Sequence, residues 1–384
     1  METKMTYLDH AATTAVKREV LEEMLPYFSL NYGNPSSLYR ASRKSRNAIE
    51  IAREQVAKFI HAKKSEIYFC SGGTEADNWA IIGAAHQNKH QGMHIITSAI
   101  EHSAVLSSCR QLEKEGYLVS YLPVDSQGMI NLDTLKESIR PDTILISIMM
   151  ANNEVGTIQP ITEIALIAKE KGILFHTDAI SAAGGLSIDV SVLNVDLLSL
   201  SAHKFYGPKG IGALYIKKGT AIEALHTGGE QEKGRRAGTE NVPSIIGMGK
   251  AAELMADNLQ SQKKQLVQLR DNAIKRILQR FPEASLNGPI KDRLPGNVNI
   301  LFPGCSSESM ITKLDERGFS VSSGSACAEG SPNPSHVLKA MGLSHSDAQC
   351  SLRFTFGEEN TLQDVEDLLT ALDEIIPNKI SLQT

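Results

Sequence analysis

Residues 143–178 read TILISIMMANNEVGTIQPITEIALIAKEKGILFHTD. Thr143–Met149 and Ile173–Thr177 are short, largely apolar runs without strict polar alternation, and Ile161–Lys171 between them has helical spacing. Strands buried on both faces read as near-continuous apolar runs, and a helix joining two of them makes a parallel pair. The alternation repeats in both directions from here. Glu66–Cys70, His94–Ser98, Leu118–Pro123, Asp196–Ser199 and Ile211–Ile216 read as further strands, and Ser103–Lys114 as another helix. The expectation is an α/β fold: a mostly parallel seven-stranded sheet covered by helices.

A different pattern begins near Asn258. Leu259, Leu266, Leu269, Ala273, Ile277 and Phe281 recur at spacings of three, four and seven, which predicts a long amphipathic helix. A strand (Asn297–Phe302), a helix (Ser307–Arg317), a short strand, a Gly/Ser-rich loop, a helix, a strand (Ser351–Phe356) and a last helix (Leu362–Ile375) follow. This predicts a large domain over residues 16–257 and a smaller α+β domain from residues 1–15 and 258–384, with the boundary near Asp257–Ser261.

Composition narrows the function. Thirty-nine basic and forty-four acidic side chains among 384 residues give a formal charge of −5, with no basic stripe of the kind that tracks nucleic acid. Met1–His10 carries no basic stretch leading into an apolar one, and the longest near-apolar run, Ile144–Ala151, is far short of a membrane span. A soluble cytoplasmic protein is expected. The five cysteines (Cys70, Cys109, Cys305, Cys327 and Cys350) are widely spaced and form no CxxC, so neither a disulfide framework nor a metal site is expected.

Four segments carry candidate chemistry. Ser71-Gly-Gly-Thr74 joins a strand to a helix, as an anion-binding turn would, and equally as an ordinary capped turn would. Asp178 ends an apolar strand, where open α/β sheets meet their ligands; a helix cap is the plainer use. Lys204 follows the strand Asp196–Ser199 in a turn crowded by Ser201, His203, Gly207 and Pro208, a setting suited to Schiff-base chemistry. Cys327 lies in a loop of small residues with no apolar pattern to bury it, where a thiol could carry sulfur between two sites.

In this order the segments resemble the fold-type-I pyridoxal-phosphate enzymes, and within them the cysteine desulfurases of the NifS/IscS-like class. The resemblance runs nearly end to end. Tyr7-Leu-Asp-His-Ala-Ala-Thr-Thr14, Gly33-Asn-Pro-Ser-Ser37, Ser71-Gly-Gly-Thr-Glu-Ala-Asp-Asn78, Glu101-His102 and Asn152-Asn-Glu-Val-Gly156 carry its first half. His176-Thr-Asp-Ala179, Ser201-Ala-His-Lys204, Tyr206-Gly-Pro-Lys-Gly-Ile-Gly212, Arg235-Arg-Ala-Gly-Thr-Glu-Asn241, Ser323-Gly-Ser-Ala-Cys327 and Ser351-Leu-Arg-Phe354 carry the second.

The resemblance implies pyridoxal 5′-phosphate as cofactor, with Lys204 as its Schiff-base and proton-moving residue and Asp178 facing the pyridine nitrogen. It implies His102 stacked on the ring, and Gly73, Thr74, Ser201 and His203 about the phosphate, with Thr239 contributed by the partner in a homodimer. Asn153 would touch the ring oxygen or the substrate, and Arg353 would clamp the substrate carboxylate, with Asn34 nearby. Cys327 would take the sulfur of L-cysteine as a persulfide, release L-alanine, and pass the sulfur on, with transient ligation of an iron–sulfur cluster conceivable. The acceptor classes are iron–sulfur scaffolds, tRNA-thiolating enzymes and thiamine-pathway carriers. One departure stands out: the family usually has Gln three residues after the strand-end Asp, bonded to the cofactor's phenolic oxygen, and this chain has Ser181 there. Selenocysteine lyase, another lyase or aminotransferase, and a non-catalytic scaffold are the alternatives.

Overall fold

The structure is a computed structural model that describes residues 5–323 and 334–376. β1 (Thr6–Tyr7) opens the chain, followed by β2 (Ile67–Cys70), β3 (His94–Ser98), β4 (Leu118–Leu122), β5 (Thr143–Ser147), β6 (Leu174–Asp178), β7 (Leu197–Ser201) and β8 (Gly212–Ile216). β2 to β8 form one seven-stranded sheet in the order β2-β8-β7-β6-β5-β3-β4. The pairs from β7 through β6, β5 and β3 to β4 are parallel, and β8 alone runs antiparallel to both its neighbours. Every residue of β3, β5, β7 and β8 is buried, which is why these strands read as apolar runs. Because the central strands are parallel, the C-terminal ends of β3, β5, β6 and β7 gather at one edge, where the chemistry collects.

The long helix begins earlier than its amphipathic pattern indicated, running Val242–Arg280 as one element of 39 residues. Gly247 and Gly249 hid its first half, since glycine in a helix interior reads as a breaker. Both are there for close approach: a Cβ at Gly249 would come within 2.6 Å of the Ala52 backbone, on the helix Arg40–Phe59. The helix is shared by two cores. Ile245, Met248, Ala252, Met255 and Leu259 pack with the large sheet, whereas Leu266, Leu269, Ala273 and Ile277 pack with the C-terminal elements.

The second core is built on β9 (Ser285–Leu286), β10 (Asn297–Leu301), β11 (Phe319–Ser320) and β12 (Ser351–Thr355). β9, β10 and β12 form an antiparallel sheet in the order β12-β10-β9, and β1 pairs parallel with β11. After β1 the chain crosses back to the large sheet: Thr355 N donates to Leu8 O at 2.7 Å, and Thr14 N to His203 O at 2.9 Å. Among the described residues, no helix is long and apolar enough to cross a membrane.

One buried ion pair ties the edge of the large sheet to its helices. Arg53 donates Nη1 and Nη2 to the two oxygens of Glu232 at 2.6 and 2.8 Å, and Glu232 also accepts from Phe69 N at 2.9 Å. Removing Glu232 leaves the buried Arg53 charge with only the exposed Glu50 carboxylate, at 3.1 Å from Nε, to answer it. Glu232→Ala is expected to lower stability by about 3–5 kcal/mol, read as a lower urea midpoint. A midpoint within error of wild type would contradict this account.

Candidate active site

A cavity of about 410 Å³ lies at the C-terminal edge of the large sheet, closed from the other side by β12. Its floor is Asp178, the last residue of β6. The carboxyl is fixed by the Ile180 N–H, which donates to Oδ1 at 2.8 Å. Burial holds its pKa above the ordinary range, opposed by His102, the Ile180 N–H and Lys204. Two residues back on the same face of the strand, His176 bridges Ser147 Oγ and Ser199 Oγ, each at 2.9 Å. Burial drives His176 down to about 3, so it is neutral and links the three central strands without adding charge.

Lys204 stands in the single turn Ala202–Lys204 that follows β7. Its Nζ donates to the carbonyls of Ala11 and Ala12, which the crossing N-terminal segment brings over the turn. Gly73 starts the helix Gly73–Asn78. A Cβ there would meet the end of the Ile180 side chain and lie 3.3 Å from Ser201 Cβ, so glycine lets the helix start pack close against both while Thr74 reaches the cavity. His203 is pushed down to about 4 by burial, Lys204 and Lys209. It adds a neutral ring beside Ser201.

His102 caps the helix Ser103–Lys114, its Nδ1 accepting from Ala104 N at 3.1 Å. In the neutral ring the proton therefore sits on Nε2. Burial lowers its pKa, countered by Asp178 and reinforced by Lys204 and His336. Opposite, Arg353 reaches in from β12 with 1% of its surface exposed. Nη2 donates to Asp9 Oδ1 at 2.7 Å and Nη1 to Asn153 O at 3.2 Å, so the guanidinium is aimed from two sides. Asn152 makes the turn that presents Asn153, its Oδ1 accepting from Glu154 N and Val155 N at 2.8 and 3.0 Å.

The structure thus brings Gly73, Thr74, His102, Asn153, Asp178, Ser181, Ser201, His203, Lys204 and Arg353 to one cavity. Ser181 also borders a smaller chamber of about 80 Å³. Asn34 and Thr239 are elsewhere in the chain. Asn34 is exposed, with Oδ1 accepting from Ser36 N, and Thr239 lines a separate depression with Arg236 and Asn241. Cys327 lies outside the described residues, but the chain on either side of its segment does not. Ser322 pairs backbone to backbone with Arg353, Ser335 Oγ donates to Glu154, and His336 Nε2 bonds Glu101 O at 3.0 Å. Cys327 is five residues from Ser322, at most about 17 Å of extended chain.

Sequence reasoning gave no role to Asp9, Asn152, Glu154 or His336. The signal for Asp9 and Asn152 was present in the quoted motifs, but a motif does not say which polar residue aims which. Nothing in the sequence pairs Asp9 with a residue 344 positions away.

A family model for class-V aminotransferases matches residues 6–368. The chain is 52% identical over 378 residues to a Clostridium botulinum protein named cysteine desulfurase IscS, covering 98% of this chain and 95% of that one. A Methanosarcina thermophila protein of the same name is also 52% identical, over 98% of this chain and 93% of its own. Among solved structures, a NifS-like protein superposes with a TM-score of 0.91 at 38% identity, covering 97% of this chain and 99% of the other. One described as SspA in complex with cysteine gives 0.82 at 39%, over 92% and 99%.

Two other thiols are silenced by their surroundings. Burial and the neighbouring Glu75 carboxylate raise Cys70, and burial with Glu101 and Glu113 pushes Cys109 up to about 12. Both are expected to resist iodoacetamide in the native protein at pH 7.5 and to label fully in urea, by peptide mapping. Native labelling at either would show that its burial is not as described.

Proposed function

The chain belongs to the class-V aminotransferase family, and from that membership we propose a pyridoxal-phosphate-dependent cysteine desulfurase converting L-cysteine to L-alanine. The observation that carries the reading is the meeting of Lys204, Asp178 and Arg353 in one cavity, with the segment bearing Cys327 tethered at both ends beside it.

The residues fit the cofactor. The cavity is of ligand size. Its buried carboxyl, raised by burial, has room for a cationic ring nitrogen, and Thr74, Ser201 and the helix start offer donors to a phosphate. When bound, pyridoxal phosphate supplies an electron-withdrawing ring for the pair left when the substrate's α-proton departs. This chain's residues do the rest. Asp178 would hold a proton on the ring nitrogen, and Lys204 Nζ would take and return the α-proton. His102 would lie against the bound ring. Arg353, aimed by Asp9 and Asn153 O, grips the substrate carboxylate with two parallel donors. Cys327, as thiolate, bonds to the substrate sulfur; the carbon–sulfur bond breaks, a proton goes to carbon, and alanine leaves a persulfide behind.

The chamber beside Ser181 has room for a water in place of a longer amide. Thr239 lies outside the cavity of its own chain, which supports a homodimer in which a second copy's Thr239 completes the phosphate site. The persulfide passes to an acceptor protein of iron–sulfur, tRNA-thiolation or thiamine chemistry, in the cytoplasm.

The test is direct. Purified protein should be yellow and release alanine and sulfide from L-cysteine with a thiol reductant. Cys327→Ala should stay yellow and lose about a hundredfold or more of that release. A colourless protein, or a fully active Cys327→Ala, would sink the reading. Asp9→Asn removes the charge that aims Arg353. It should raise KM for L-cysteine about tenfold with kcat little changed; an unchanged KM would show that Asp9 does not aim the clamp.

A further inference from the structure

Glu101 is fully buried, lines the cavity, and has no part in the roles above. Its Oε1 accepts from Ser98 Oγ at 2.6 Å and from Met149 N at 3.0 Å. Ser98 closes β3 and Met149 follows β5, so one oxygen pins two adjacent strand ends. Its backbone carbonyl accepts from His336 Nε2 at 3.0 Å. One residue therefore joins the turn that carries His102, the stretch leading to Asn153, and the start of the helix His336–Ala340. Oε2 is buried with no hydrogen-bond partner among the described residues.

Four buried carboxyls, Asp77, Glu101, Glu154 and Asp178, share this region, and they are not equivalent; Glu154, which also lines the cavity, accepts from Ser335 Oγ. Asp178 has His102, Lys204 and the Ile180 N–H to favour its anion. Asp77 has Ser199 and, at 3.7 Å, a His176 that burial keeps neutral. Glu101 meets the two neutral donors from Ser98 and Met149, with Asp178 as its repelling neighbour. Cys109, on the helix after His102, is also neutral. Burial and Asp178 lift Glu101 to about 8. With Oε1 committed as a double acceptor, the proton sits on Oε2.

We propose that Glu101 is a positioning residue that works as a neutral acid. Its protonated carboxyl holds the His102 and Asn153 segments in register and keeps a second negative charge away from the strand ends beside Asp178. Losing that proton places a second negative charge beside Asp178, raises the proton affinity of both, and slackens the contact between the strand ends.

The folded chain holds this proton to a higher pH than the unfolded chain does. The stability it contributes is therefore full in acid and lost as pH rises through about 8. The first arm is the thermal midpoint of full-length protein from pH 6 to 9.5, for wild type, Glu101→Gln and Glu101→Ala. Glu101→Gln keeps the shape without the ionisation, so between pH 6 and about 8 its midpoint should fall less steeply than that of wild type, and above about 8 the two should run parallel. The same slope in both below about pH 8 would overturn the proposal.

The second arm, which rests on the desulfurase reading, is the pH profile of kcat/KM for L-cysteine. Glu101→Gln should stay within about threefold of wild type at pH 7 and carry its alkaline decline at least about one pH unit higher, while Glu101→Ala falls about tenfold or more throughout. An active Glu101→Ala with the wild-type profile would overturn the positioning role. If wild type itself does not turn over L-cysteine, the desulfurase reading fails and the thermal arm still judges Glu101. If Glu101→Gln does not fold, Ser98→Ala replaces it. Losing a donor that favours the anion should move the thermal decline to higher pH, and an unmoved decline would overturn the proposal.

Discussion

A carboxyl buried at the end of a strand is costly unless something cationic answers it, and Asp178 imposes that condition on everything around it. Two histidines beneath and beside it are kept uncharged. His176 is neutral between two serine hydroxyls, and His203 is neutral beside Lys204. The helix start at Gly73, the cap at His102 and the turn at Lys204 converge on the same point because parallel strands deliver their ends to one edge.

The opposite wall comes from a different core. Arg353 lies on β12, in the antiparallel sheet, and reaches the cavity because two structures hold the cores together. One is the 39-residue helix, whose first half packs on the large sheet and whose second half packs under the small one. At its middle, Gln262 donates to Tyr206 Oη at 3.0 Å, and Glu358 N donates to the same oxygen at 2.9 Å. The other is the N-terminal segment. It pairs with β11, supplies Asp9 to Arg353, and then lays Ala11 and Ala12 over Lys204. Arg353 and Lys204 are thus both set by one short stretch of chain.

Much of this was legible beforehand, for a physical reason. Strands buried on both faces leave continuous apolar runs, and the seven read from the sequence all lie in the large sheet. Amphipathic helices such as Ser103–Lys114 and Leu362–Ile375 announce themselves by period. The first half of Val242–Arg280 did not, because its glycines serve close approach by Met24, Pro208 and the Ala52 backbone and look like breakers when read alone. Of the site, the chemistry-bearing residues were legible through motif context: Lys204, Asp178, His102 and Arg353. Their supports were not. Asp9, Asn152 and Glu101 act through partners distant in sequence, and spacing carries no information about such pairs.

The sequence by itself determined the order of elements, the mostly parallel sheet and the set of reactive side chains, because periodicity and residue chemistry are local properties of the chain. Tertiary structure alone decided which polar groups carry charge. Burial and neighbours make Glu101 hold its proton to about 8 and His176 release its own at about 3, and neither environment exists until two cores and a crossing N-terminal segment have closed around them.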